Sequence, residues 1–264
     1  MKKYALLISF FAAFLSLSAC KQPPHPGDVL INAASTAPLE AGRPATVTVS
    51  LADARTGAPL GEEDLKVVHT QRFHALVVDE TLDDYQHLHP KPTANKGEYT
   101  FTFTPKNSGD YRVWADVTPV ATDRQTFAVA DLKGAERAAG HIEKKRAYTA
   151  SAGGITLDLL FDTPPKEGEP IMGTVIISRN GNPFTKLQPV MGAFIHIVGF
   201  AEDGARVIHV HEMGEPPAPG ATHAPSDIAF HIEPQKEGFL KLFMQVRADN
   251  RDIFAPFGIM VGKK

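Results

Sequence analysis

The chain has 264 residues, 43% of them hydrophobic, a single cysteine and a formal net charge of −3. That length holds one large or two small domains. One cysteine excludes a disulfide framework, a cysteine-rich zinc or iron–sulfur site, a cysteine nucleophile and a blue-copper centre, which needs a thiolate ligand; the slightly acidic balance argues against a nucleic-acid partner, which would call for a basic surface.

Taken from the start, Met1, Lys2 and Lys3 form a positive region, and an apolar run from Tyr4 to Ala19 is broken only by Ser9, Ser16 and Ser18. It is shorter than the ~20 residues of a spanning helix and reads as a secretory signal peptide over residues 1–19. The segment Leu17-Ser18-Ala19-Cys20 resembles the lipobox of bacterial lipoproteins. The resemblance implies cleavage before Cys20 and lipidation of its thiol, so the membrane is an expected partner; the plainer alternative is a signal peptide that happens to contain Cys. Lys21, rather than Asp, follows the cysteine, which by enteric-type sorting implies the outer membrane, facing the periplasm, in a Gram-negative cell. Residues 20–27, which include Pro23, Pro24, His25 and Pro26, read as an extended, proline-rich tether. Loss of Lys2 and Lys3 with the signal peptide leaves 25 basic against 30 acidic residues, a net −5.

The rest of the chain is a repeat. Arg72-Phe-His-Ala-Leu-Val-Val-Asp-Glu80 parallels Phe194-Ile-His-Ile-Val-Gly-Phe-Ala-Glu202, and in each copy a His-x-His follows so that its first histidine lies thirteen residues after the earlier one. Downstream, Phe101–Pro105, Gly109 and Tyr111–Val117 align without gaps to Phe230–Pro234, Gly238 and Leu240–Val246. Upstream, Ala41–Pro44 matches Glu167–Pro170. Short alternating runs such as Thr46–Leu51, Tyr99–Phe103, Ile155–Phe161 and Gly173–Ser178, separated by Gly, Pro, Asn and Asp, predict about six or seven strands per copy. The expected fold is all-β: two tandem immunoglobulin-like antiparallel β-sandwiches, repeat 1 over 28–130 and repeat 2 over 151–264, joined by a charged linker over 131–150 with a turn or two of helix.

In repeat 2, Asp203-Gly204 predicts a two-residue type I′ hairpin turn. That register sets His196 opposite His211, with His209 on the same face. Repeat 1 gives the same arrangement for His74, His87 and His89 if Thr81-Leu82 forms the tip. Three imidazoles on one rigid hairpin suit a copper or zinc ion. His69 and Met191 each lie five residues before the first histidine of their copy and are candidate fourth ligands; the odd offset puts them on the opposite face of an unbroken strand, unless a bulge at Gly192 corrects it. Met213 is a further candidate. Trp114, aligned with Phe243, is expected in the core. Asp116, aligned with Gln245, is either an imidazole-orienting group or a solvated strand residue. Asp83-Asp84 reads as a polar loop, and His25 and His141 as solvated. A second reading of the histidine faces is that they pack against each other between the domains, with Leu76, Val78, Val198 and Phe200 beside them.

With its His-x-His hairpins, the repeat resembles the immunoglobulin-like periplasmic modules grouped as YtkA-like or CopC-like. The resemblance implies a copper- or heavy-metal-handling role in the cell envelope, with an envelope metal-handling protein as partner. Met191, Met213 and Met244 favour copper over zinc, since thioether suits Cu(I). The alternatives are a metal-free adaptor or interaction module, and a metal-dependent enzyme; the second is disfavoured because no Gly-x-Ser-x-Gly, His-Glu-x-x-His or phosphate-loop pattern occurs. No catalysis is expected.

Overall fold

A computed structural model describes residues 28–135, 140–218 and 220–264, with the side chains of His209 and His211 outside the description. The signal peptide, Cys20 and the tether also lie outside the described residues.

Repeat 1 contains β1 (Val29–Ser35), β2 (Ala45–Asp53), β3 (Phe73–Asp79), β4 (Tyr85–Leu88), β5 (Lys91–Pro92), β6 (Glu98–Phe103), β7 (Tyr111–Val117) and β8 (Thr126–Leu132). They form two antiparallel four-stranded sheets, β1-β2-β6-β5 and β4-β3-β7-β8. Alternation in β2 points Ala45, Val47, Val49 and Leu51 inward, against Phe73, Ala75 and Val77 of β3 and Val113 and Ala115 of β7. At the start of β7 the Tyr111 hydroxyl lies 2.7 Å from an Asp84 carboxylate oxygen and 3.0 Å from the Asn107 carbonyl, the tyrosine corner of immunoglobulin-like sandwiches. Asp84 is therefore no solvated loop residue: it is fully buried and accepts the Lys106 backbone N–H at 2.8 Å.

Repeat 2 contains β9 (Thr149–Ala152), β10 (Ile155–Phe161), β11 (Ile171–Arg179), β12 (Asn182–Pro183), β13 (Leu187–Gln188), β14 (Ile195–Ala201), β15 (Val207–Glu212), β16 (Asp227–Ile232), β17 (Gly238–Ala248) and β18 (Arg251–Val261). Here one strand joins the two layers. β15 pairs with β14 from Val207 to Val210 and then with β16 at His211 and Glu212. The linker contains no helix among its described residues; β8 runs to Leu132, and Gly134 bridges back to Leu39.

The predicted register holds in both hairpins: Leu76 faces His87 and Val198 faces His209. The turn type differs from the expectation. Only Gly204 of the Asp203-Gly204 pair has positive φ (61°), and its N–H bonds to the Ala201 carbonyl at 2.9 Å. Repeat 1 makes the same tip with Leu82 (φ 58°) bonding to Asp79 at 3.1 Å. The register survives because a four-residue loop keeps the same pairing as a two-residue one would.

β3 and β14 are buried along nearly their whole length. One face of each lies in its own core. The other forms a third cluster between the repeats: Leu76, Val78, Leu82, Tyr85 and Trp114 against Val198, Phe200 and Phe243. The interface is reciprocal. Arg112 donates to the Gly204 carbonyl at 2.5 Å, while Lys241, its counterpart in repeat 2, reaches Asp83 at the other tip, 3.1 Å away.

Candidate metal centre

The loops before β3 and β14 are two-residue turns. Val68 and Gln71 exchange backbone bonds of 2.8 and 3.0 Å, as do Val190 and Ala193 at 2.8 and 3.1 Å. Both central residues have positive φ, at His69 (48°) and Thr70 (69°) and at Met191 (53°) and Gly192 (81°). These are the type I′ turns, one step away from where the sequence placed one. They also resolve the odd offset of His69 and Met191. Each residue sits on a tip that folds back to the face carrying the histidines, without a bulge.

The same turns fix two imidazoles. His74 Nε2 lies 2.9 Å from the Val68 carbonyl and His196 Nε2 lies 2.8 Å from the Val190 carbonyl. A carbonyl only accepts, so Nε2 carries hydrogen in both rings, and in the neutral form the lone pair is on Nδ1. His87 Nδ1 lies 3.1 Å from Oε1 of Gln245, a residue of repeat 2 that pairs with His196 across β14 and β17. With the amide in that orientation, His87 Nδ1 is the donor and its lone pair is on Nε2. That Nε2 stands 3.0 Å from His74 Nδ1. In this tautomer the two nitrogens both offer lone pairs and would hold a cation between them; with hydrogen on His87 Nε2 the same contact is an N–H···N hydrogen bond.

His89 completes a triangle. The ring centroids of His74, His87 and His89 are pairwise 5.2 Å apart, and one nitrogen from each lies within 4.8 Å of the others. Modest ring rotations would bring all three within the ~2.0–2.1 Å of a metal–nitrogen bond. His89 Nε2 is 3.1 Å from Met191 Sδ of the other repeat. Burial, reinforced by repulsion from His74 and Lys91 and opposed by Asp252, lowers the pKa of His89 to about 4, so the ring is neutral at neutral pH and has a lone pair on one of its two nitrogens. His69 in turn packs edge-on against His196, 5.2 Å away, and His196 lies 6.5 Å from His87. The donor set, imidazoles with one thioether, fits a copper or zinc ion.

The structure therefore brings His69, His74, His87, His89, Met191 and His196 into one cluster between the repeats, instead of onto two separate hairpin faces, because those faces pack on each other. His209 and His211 occupy the strand positions equivalent to His87 and His89. Gln245 was missed as the partner of His87, and only its alignment with Asp116 hinted at it. Asp116 is buried beside His74 in register and accepts from Gln125 at 2.8 Å. Met213 is exposed, away from the cluster. His141 is exposed as expected. A cleft of about 170 Å³ reaches the cluster between His69, His196, Glu212 and Pro216. Glu212 accepts the Phe194 and Ile195 N–H groups at 2.9 and 3.0 Å, and burial raises its pKa.

The duplication found in the sequence is also visible in a family comparison, whose model matches residues 28–134 and again 150–263. The chain belongs to that family. It is described as "Domain of unknown function (DUF8832)", so each sandwich is one DUF8832 unit and the centre lies between two of them. No curated protein matches the chain. Among solved structures it is similar to the D00-D0 domain of Intimin (10% identity, 88% of this chain and 98% of that one, TM-score 0.23). Others are InvD of Yersinia pseudotuberculosis (14%, 89% and 58%, TM-score 0.27) and fibronectin(III)-like modules of Clostridium thermocellum CbhA (13%, 89% and 95%, TM-score 0.23).

Proposed function

We propose that the protein is a lipid-anchored lipoprotein of the cell envelope that binds a transition-metal ion, copper in preference to zinc, in the seam between its two DUF8832 units. The observation that carries this reading is the pair of imidazole nitrogens of His74 and His87, 3.0 Å apart, with a nitrogen of His89 within 4.8 Å of them. The thioether of Met191 next to His89 favours copper, since soft donors suit Cu(I). His69 and His196 extend the donor set. Cys20 supplies the anchor, and a metal-handling envelope protein is the expected partner.

A form beginning at Gly27, which keeps every described residue, is dialysed against copper or zinc and assayed for bound metal. About one equivalent or more is expected, and His74→Ala with His87→Ala removes it. Less than roughly a tenth of an equivalent would sink the reading, because a site with this many donors fills at ordinary concentrations.

A second reading, a metal-free adaptor, is favoured by the apolar cluster in the same seam. On that reading the histidines are packing residues sharing a proton, and the melting temperature is unmoved by copper.

A further inference from the structure

The exposed sheets of the two repeats carry different cross-strand pairs, and one of the differences changes the chemistry of the surface. In repeat 1, β2 and β6 pair Thr46 with Thr102, whose hydroxyls bond to each other at 3.1 Å. In repeat 2, the corresponding strands β11 and β16 pair Met172 with His231. Both lie on the solvent side: Met172 is 38% exposed, and His231 is exposed within the alternating burial of β16. A self-satisfied polar pair has been replaced by a thioether and an imidazole.

Next to this pair, β15 leaves β14 and joins β16, with the backbone of His211 directly opposite His231. The ladder continues through the Met213 N–H, which bonds to the Ala229 carbonyl at 2.7 Å. Met213 is thus diagonal to His231 on the outer face, within reach of long side chains, and is 47% exposed. Two thioethers and an imidazole therefore share the solvent-facing side of adjacent strands, where β15 ends beside β16 and β16 pairs with β11. A thioether does not take up protons at ordinary pH and is a poor ligand for hard ions; its partners are soft cations.

We propose that Met172, His231 and Met213 form a second, solvent-facing site for a soft monovalent cation, Cu(I) or its analogue Ag(I), at the outer end of β15. The site is weaker than the buried cluster because it has fewer donors and open water around it.

The test is titration of the Gly27 form with silver nitrate, followed by methionine methyl and histidine ring NMR signals. Met172, Met213 and His231 are expected to shift together and saturate with a Kd below about 100 μM. Met172→Thr with His231→Thr, which installs the pair repeat 1 already carries, weakens that response at least tenfold and leaves the His74, His87 and His89 signals and the unfolding midpoint as they were. The proposal is overturned if the three outer signals stay still up to about 1 mM silver, if the double variant responds like the parent, or if only Met191 and His89 move. Silence of the inner signals alone would count against the buried metal centre and leave this site standing.

Discussion

On the proposed metal-binding reading, Gln245 is the residue through which repeat 2 sets the protonation pattern of His87, and Gln245→Leu separates that role from plain packing. The side chain is 5% exposed, and its Oε1 accepts from His87 Nδ1 at 3.1 Å. Leucine fills a similar volume without an acceptor. In the metal-loaded protein His87 must keep hydrogen on Nδ1 to offer Nε2 to the ion, so the variant buries an unsatisfied N–H, at a cost of about 1–3 kcal/mol. Loss of such an outer partner typically weakens a metal site about 10–100-fold, which is about 1.4–2.7 kcal/mol, and the two figures agree. In the metal-free protein the outcome differs. His87 is then able to move its hydrogen to Nε2 and donate to His74 Nδ1, so stability should change by about 1 kcal/mol or less. The assay is a competition titration against a chelator of known affinity, with urea unfolding of the metal-free form run in parallel. Gln245→Glu, which restores an acceptor, is expected to recover the affinity. An affinity for Gln245→Leu within about twofold of the parent, or equal losses in metal-free stability and binding, would refute the tautomer argument.

Other predictions follow from the seam and its turns. Since the pKa of His89 is lowered to about 4 in the fold from about 6.5 when unfolded, the unfolded state binds more protons in that window. Metal-free stability is therefore full above about pH 6.5 and falls as pH drops toward 4, by up to about 1.4 kcal/mol per unit; urea unfolding at several pH values should show a flatter profile for His89→Gln, and identical profiles would exclude this source. Phe200→Ala opens the cluster between the repeats and should cost about 3–5 kcal/mol, with a red shift in the fluorescence of Trp114, the single tryptophan, which lies in that cluster; unchanged emission would mean that the cluster is not held by Phe200. Thr70 has φ 69°, where repeat 2 carries Gly192; Thr70→Gly should stabilise by roughly 0.5–1 kcal/mol, since relief of the left-handed strain exceeds the entropy glycine adds, and a lower unfolding midpoint would show that Thr70 makes a contact worth more than its strain.

Much of the fold was legible because repeated turn and strand signals sit at matching positions. The hairpin registers could be read from His74, His87 and His89 and their repeat-2 counterparts, since the pairing sum is insensitive to loop type. The turns could not be assigned in the same way. Asp203-Gly204 carries the strongest local signal for type I′, yet that geometry occurs at His69-Thr70 and Met191-Gly192, where three of the four residues, His69, Thr70 and Met191, do not prefer positive φ. Phe73–Asp79 shows no alternation, a sign of burial on both sides, and the second of the two sequence readings, packing of the histidine faces on each other beside Leu76, Val78, Val198 and Phe200, names what covers the second face. That covering face is why the candidate ligands gather into one centre, and why Gln245, far away in the chain, reaches His87.

The reciprocal contacts across the seam, Arg112 to one hairpin tip and Lys241 to the other, have a consequence for how such a chain arises. A lone unit carrying this face would expose Leu76, Val78, Tyr85 and Trp114 and would pair with a copy of itself by the same two-fold contact. Tandem duplication converts that dimer into one chain and releases its halves from identity. One half then keeps His69 where the other has Met191, and Asp116 where the other has Gln245. An enforced homodimer cannot make such unequal substitutions, and they are what give the centre a sulfur donor on one side only.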